Sequence, residues 1–278
     1  MGEGIKLPVL NGLGRTHRVD NWWSQPMTMA IGLTAALVYT FWRLFLFGTE
    51  TSDGTSLISY ELHGSTVVSP IFSPNILEWE LFGLSTWDHP SWVNAAILVL
   101  WIPFGFRGTC YYMRRVYYRT FFASPAGCWV DETNINKMVG YKGEKRMFII
   151  NNLHRYFLYA AMIILLIKWW DVTHTMTFSD GRYGVSIGTF VMAIEAFLLT
   201  MYVTSCHALR HIAGGALDRW TQGISKVRGQ LFKRISILNR SHGFWFWTSL
   251  AFVFIGDLWV LAVSGGYGDL SDTAIILG

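Results

Sequence analysis

Apolar and polar residues fall along this chain in long blocks, without the short alternation of a soluble domain. Five blocks are predominantly apolar: residues 27–48, 92–112, 151–170, 184–207 and 244–263. At a rise of ~1.5 Å per residue each is long enough, as a helix, to cross a bilayer. The pattern therefore predicts an all-α integral membrane protein. Its five transmembrane helices form one bundle, and residues 1–278 make a single membrane domain.

The polar blocks differ from one another. Residues 1–26 are glycine-rich and end in Trp22, Trp23 and Pro26, an indole pair suited to a headgroup layer. Residues 49–90 carry Pro70, Pro74, Pro90 and clusters of Thr, Ser and Gly, which predict an irregular loop with a short interfacial helix around 75–82. Residues 210–242 are basic and predict partial helix.

Charge orients the bundle. The chain holds 22 Lys and Arg against 18 Asp and Glu. Of the 22 basic residues, three precede residue 27, nine lie in 107–155 and seven in 208–242. Residues 49–90 contain none. The positive-inside rule then puts the N-terminus and both basic loops in the cytoplasm. The net charge of +4 is thus a topological signal and implies no nucleic-acid partner. Charged residues make up 14% of the chain, about half the usual share of a soluble domain. Three cysteines do not make a disulfide framework.

The predicted topology brings distant residues to one depth. Cys110 ends the second span, Cys128 follows in the loop and His154 opens the third. Cys206, His207 and His211 close the fourth, and His242 precedes the fifth. All three cysteines and four of the eight histidines therefore share a cytoplasmic layer. His207 and His211 stand one helical turn apart. Mixed thiols and imidazoles suit a structural zinc. They also suit a [2Fe–2S] cluster with cysteines on one iron and histidines on the other, in which imidazole raises the potential. A single bis-histidine haem b is a further option. Two haems are disfavoured, because the apolar interiors of the spans hold no histidine. A di-iron hydroxylase would need more histidine boxes than the single His207/His211 spacing.

Other candidates sit nearby or deeper. Tyr111, Tyr112, Arg114 and Arg115 offer aromatic walls and donors for a quinone-like ligand at the same edge. Arg43, Glu195 and Asp257 are ionisable residues inside spans, which are costly there and invite a structural or functional reading. Lys168 is placed to snorkel to the outer surface.

Four segments resemble one family. They are Arg107-Gly108-Thr109-Cys110-Tyr111-Tyr112-Met113-Arg114-Arg115, Ser124-Pro125-Ala126-Gly127-Cys128, Asn152-Leu153-His154-Arg155-Tyr156-Phe157 and Ser205-Cys206-His207-Ala208-Leu209-Arg210-His211. In this order they are similar to the single-chain, five-helix membrane anchors of actinobacterial succinate dehydrogenases. The resemblance implies a bacterial plasma-membrane location. It implies a flavoprotein that oxidises succinate and an iron–sulfur subunit that passes electrons to the anchor, which reduces quinone, menaquinone in such bacteria. Anchors of this enzyme usually carry haem b. Without the mid-span histidines, the expected centre here is a [2Fe–2S] cluster. Its expected ligands are Cys110, Cys206, His154 and His211, with Cys128 and His207 as substitutes.

Overall fold

The computed structural model describes residues 21, 23–51, 54–78, 83, 86–88, 90, 93–120, 153–215, 223–265 and 271–276. The chain divides into two compact units. One joins Met1–Thr40 to Cys110–Asn151, the other Phe41–Thr109 to Asn152–Gly278. In the described part of the first unit, helix α1 (Ser24–Phe41) runs up to the unit boundary and α4 spans Tyr111–Thr120.

The second unit holds most of the bundle. A π-turn, Trp42–Leu46, leads to a hairpin of β1 (Ser59–Leu62) and β2 (Ser65–Val68). Helices α2 (Ala95–Val99) and α3 (Trp101–Gly108) follow, then α5 (His154–Thr175). Strand β3 (Gly184–Ser186) precedes α6 (Ile187–Thr204), α7 (His207–Gly214), α8 (Gly223–Asn239), α9 (His242–Val263) and β4 (Ala274–Ile276). Helix α6 is central and packs on both α5 and α9, while α3 packs on α5. Gly105 makes that last approach possible: a Cβ there would lie 2.1 Å from the Phe157 ring. A cluster of Leu62, Val67, Val172, Phe178, Met192, Ala196 and Val260 ties the hairpin to α5, α6 and α9.

Four helical segments are long and apolar enough to cross a membrane: Ser24–Leu46, His154–Thr175, Ile187–Thr204 and His242–Val263. The expected second span is divided into α2 and α3 at Leu100, whose backbone stays in the right-handed helical region. Pro103 lacks the N–H that would bond the Val99 carbonyl, and the first helix stops at Val99. Asn94 caps its other end, accepting from the Ile97 N–H at 3.1 Å.

The loop expected to be irregular contains ordered strands. His63 and Gly64, both at positive φ, form the two-residue turn of the β1–β2 hairpin. Of the expected helix around 75–82, the described residues hold a 3-10 turn, Ile76–Glu78, and residues 79–82 lie outside them. Strand β3 pairs antiparallel with β4, matching Gly184 to Ile276. Ser186 then starts α6 through a reciprocal capping box with Thr189.

Candidate functional site

The segment around Cys206 does not continue the helix before it. Helix α6 ends at Thr204, and Cys206 adopts an extended conformation (φ −66°, ψ 138°) as the N-cap of α7. Its sulfur accepts the Ala208 N–H at 3.4 Å. This break turns the thiol inward, where it is fully buried.

His154, the first residue of α5, meets it there. Its Nε2 lies 3.0 Å from Cys206 Sγ, and its ring stacks on Phe106 with centroids 4.7 Å apart. On the other side, Nδ1 lies 2.9 Å from Thr109 Oγ1. Thr109 donates its only hydroxyl proton to the Gly105 carbonyl at 2.6 Å. With that proton on the carbonyl, Thr109 accepts from His154 Nδ1–H. That assignment leaves the Nε2 lone pair facing the thiol, the tautomer a metal-binding imidazole requires.

His242 repeats the arrangement. Ser205 donates to the Tyr202 carbonyl at 2.9 Å and lies 2.7 Å from His242 Nδ1. By the same count His242 carries its proton on Nδ1. It is buried at the start of α9 and stacks on Tyr202 at 5.1 Å. Asn239 donates to the Ser205 carbonyl at 2.7 Å and fixes the turn between these elements. Arg107 crosses from α3 to α9, donating to the Phe246 carbonyl and Ser249 Oγ, both at 2.9 Å, with its guanidinium over the Tyr202 ring.

The remaining expected ligands sort differently. His207 and His211 pair with each other on α7, Nε2 to Nε2 at 3.0 Å, and His211 is exposed. Cys110 is buried just before α4, in the first compact unit. Cys128 lies outside the described residues. Among the described residues no group of three or more Cys, His, Asp or Glu side chains converges. The structure thus brings together Cys206 with His154, and His207 with His211. The donor chemistry of the buried pair, a thiol opposite an imidazole lone pair, fits a mixed Cys/His centre.

The expected quinone-side residues lie on α4. The Arg114 guanidinium sits 5.0 Å from the Tyr111 ring centroid, Tyr111 and Arg115 are exposed, and Tyr112 is half-buried.

The intramembrane charges form two pairs. Arg43 Nε bonds Asp257 Oδ2 at 3.0 Å, with both side chains fully buried. The Leu57 carbonyl (2.6 Å) and the Gly48 carbonyl (3.2 Å) take the other two guanidinium nitrogens, and Ser69 donates to Asp257 Oδ1 at 2.5 Å. Lys168 does not snorkel. It is buried, donates to the Pro70 carbonyl at 3.0 Å and stands 4.0 Å from Glu195 Oε1. At the hairpin end, Asp272 accepts from Tyr60 at 2.8 Å and from the Gly188 N–H at 3.2 Å. Burial, more than that carboxylate, raises the Tyr60 phenol far above its ordinary range.

Four long apolar helices and buried ion pairs fit a multi-pass membrane subunit. Residues 24–266 match the family described as actinobacterial succinate dehydrogenase subunit SdhC. A chain of the Mycobacterium smegmatis Sdh1 complex in the apo form is 31% identical, with 97% of each chain covered and a TM-score of 0.76. No curated protein matches the chain. The chain belongs to the actinobacterial SdhC family. It is the plasma-membrane anchor of a succinate dehydrogenase, and the flavoprotein and iron–sulfur subunits of that enzyme are its partners.

Proposed function

We propose that this anchor carries electrons from the iron–sulfur subunit to a quinone, menaquinone in such bacteria, and holds a [2Fe–2S] centre with mixed Cys/His ligands. The observation that carries the reading is the buried contact between His154 Nε2 and Cys206 Sγ at 3.0 Å. Cys206 and His154 are the first two ligands. Cys110 and His211 complete the expected set, with Cys128 and His207 as substitutes. His242 joins the candidates because Ser205 holds its ring as Thr109 holds that of His154. When bound, such a centre supplies a one-electron carrier whose imidazoles raise its potential. The chain's own groups orient the ligands: Thr109 and Ser205 keep each Nε2 unprotonated, and Phe106 and Tyr202 pack the rings.

The quinone head group binds at Tyr111, Tyr112, Arg114 and Arg115. The partner subunits dock on the basic loops, on the cytoplasmic side that also holds the N-terminus.

The test uses the purified complex. Its iron and acid-labile sulfide should exceed what the iron–sulfur subunit carries. Its reduced EPR spectrum should show a signal of low average g. Cys206→Ala and His154→Ala should remove that signal and cut succinate-to-quinone electron transfer at least a hundredfold. Succinate oxidation by an artificial acceptor at the flavoprotein should persist. A Soret band in place of the EPR signal would make the centre a haem b. Zinc without extra iron would reject electron transfer through this pair.

A further inference from the structure

The end of the bundle opposite His154 holds a cavity of about 440 Å³. It lies among β2, the turn after it, α5 and α6. Val67, Met192 and Trp170 form part of its wall. Glu195, Lys168, Asp171, His174, Asn75 and Glu78 supply its polar side. Glu78 and His174 are exposed, Asn75 is half-buried, and Glu195 is 1% exposed. The cavity therefore connects the surface to a carboxylate inside a membrane helix.

Glu195 is held loosely for so buried a charge. Among the described residues no donor bonds its Oε1, and the Lys168 ammonium stands 4.0 Å away, committed to the Pro70 carbonyl at 3.0 Å. Asp171 is the next carboxylate on α5 and accepts from the Ser73 hydroxyl. The charges bearing on Glu195 are Lys168 and Asp171 from α5 and Arg107 from α3. A buried carboxylate oxygen without a protein donor, in a polar cavity much larger than one water (~30 Å³), is a site for bridging water. Along α6, Glu195 lies ~12 Å from the first residue of the helix, Ile187.

We infer that this cavity is a proton inlet: water within it lets Glu195 exchange protons with the solution at the hairpin end, past Asp171 and His174. The inference rests on the quinone-reduction reading. Succinate oxidation to fumarate releases two electrons and two protons, and reduction of a quinone to a quinol takes up two of each. The inlet carries protons for that second half-reaction from the hairpin end as far as Glu195.

The experiment uses the whole complex in proteoliposomes, with a pH dye trapped inside and succinate and a soluble quinone supplied. Succinate added outside drives only complexes whose hairpin end faces the lumen, and protease protection of that end reports their share. Wild type should draw protons from the lumen as quinone is reduced. Glu195→Gln should slow quinone reduction at least tenfold and abolish luminal uptake. Glu195→Asp should restore both in part, and dye-coupled succinate oxidation should stay within twofold of wild type. Asn75→Cys separates blockage from misfolding, because a bulky thiol reagent is added after assembly. Labelling should lower luminal uptake at least fivefold relative to the same variant unlabelled, with identically treated wild type as reference. Luminal uptake in wild type that persists in both Glu195→Gln and labelled Asn75→Cys would overturn the inlet. Uptake only from the opposite side, with quinone reduction intact, would overturn it too while leaving quinone reduction standing. If wild type reduced no quinone, the underlying reading would fail first.

Discussion

Two ion pairs lie inside the second compact unit, and they are built in opposite ways. Arg43 and Asp257 are saturated. The guanidinium has a carboxylate and two carbonyls, the carboxylate has Ser69 as well, and the Phe47 and Phe72 rings lie about the cation. Lys168 and Glu195 are open. The ammonium is shared with a carbonyl, the carboxylate keeps an oxygen without a donor among the described residues, and a cavity lies against them. A saturated pair cannot change its proton count without loss of several bonds, so it serves structure. An open pair beside a cavity can exchange with water, so chemistry is available to it. Burial alone does not distinguish the two, since both carboxylates are at most 1% exposed.

The contrast can be broken at graded cost. Arg43→Met leaves Asp257 buried without its cation and should destabilise the unit by about 3–5 kcal/mol. Loss of assembled complex, or a large drop in its melting temperature in detergent, checks this. A milder break lies at the cap over the same helices. In Gly188→Ala the new Cβ would sit 2.1 Å from Tyr60 Oη and 2.6 Å from Asp272 Oδ2. Overpacking of this kind costs about 1–3 kcal/mol, readable as faster proteolysis of the hairpin end. Lys168→Met removes a charged hydrogen bond but leaves a carboxylate that cavity water can hydrate. It should cost about 1–2 kcal/mol, well below the loss in Arg43→Met. Equal melting shifts for the two variants would erase the distinction drawn here. The floor is set by Asp180, exposed beside Arg182 at 2.5 Å. Hydrogen bonds from Arg182 hold its carboxyl below the usual range. Any support it gives is present above its ordinary pKa and lost as the pH falls through the lowered one. Asp180→Asn should leave the melting temperature unchanged at neutral pH.

Much of the fold was legible in the blocks of apolar residues, because burial in lipid selects for length and composition that a single sequence displays. The division of the second span at Leu100 was not legible, although Pro103 carries the signal, since hydropathy is blind to a missing N–H. The β1–β2 hairpin escaped notice because its turn is His63-Gly64, outside the common Asn-Gly and Asp-Gly pairs. The β3–β4 pairing joins residues about ninety apart, beyond any local pattern. At the site, depth alone placed Cys206 near His154. It could not reveal the hydroxyls of Thr109 and Ser205, which decide where each imidazole proton resides. His242 falls in the expected layer but outside the expected ligand set, because its burial depends on Tyr202 and Ser205, both remote in sequence. Lys168 read as a snorkelling residue because the Pro70 carbonyl that holds it inward lies 98 residues earlier.

The Arg43–Asp257 pair also constrains the order of biosynthesis. The arginine emerges from the ribosome 214 residues ahead of the carboxylate that neutralises it. Through most of translation the first helix carries a cation with no anionic partner in the membrane. Docking of α9 supplies that partner, so the pair can form only after the last long helix has been made.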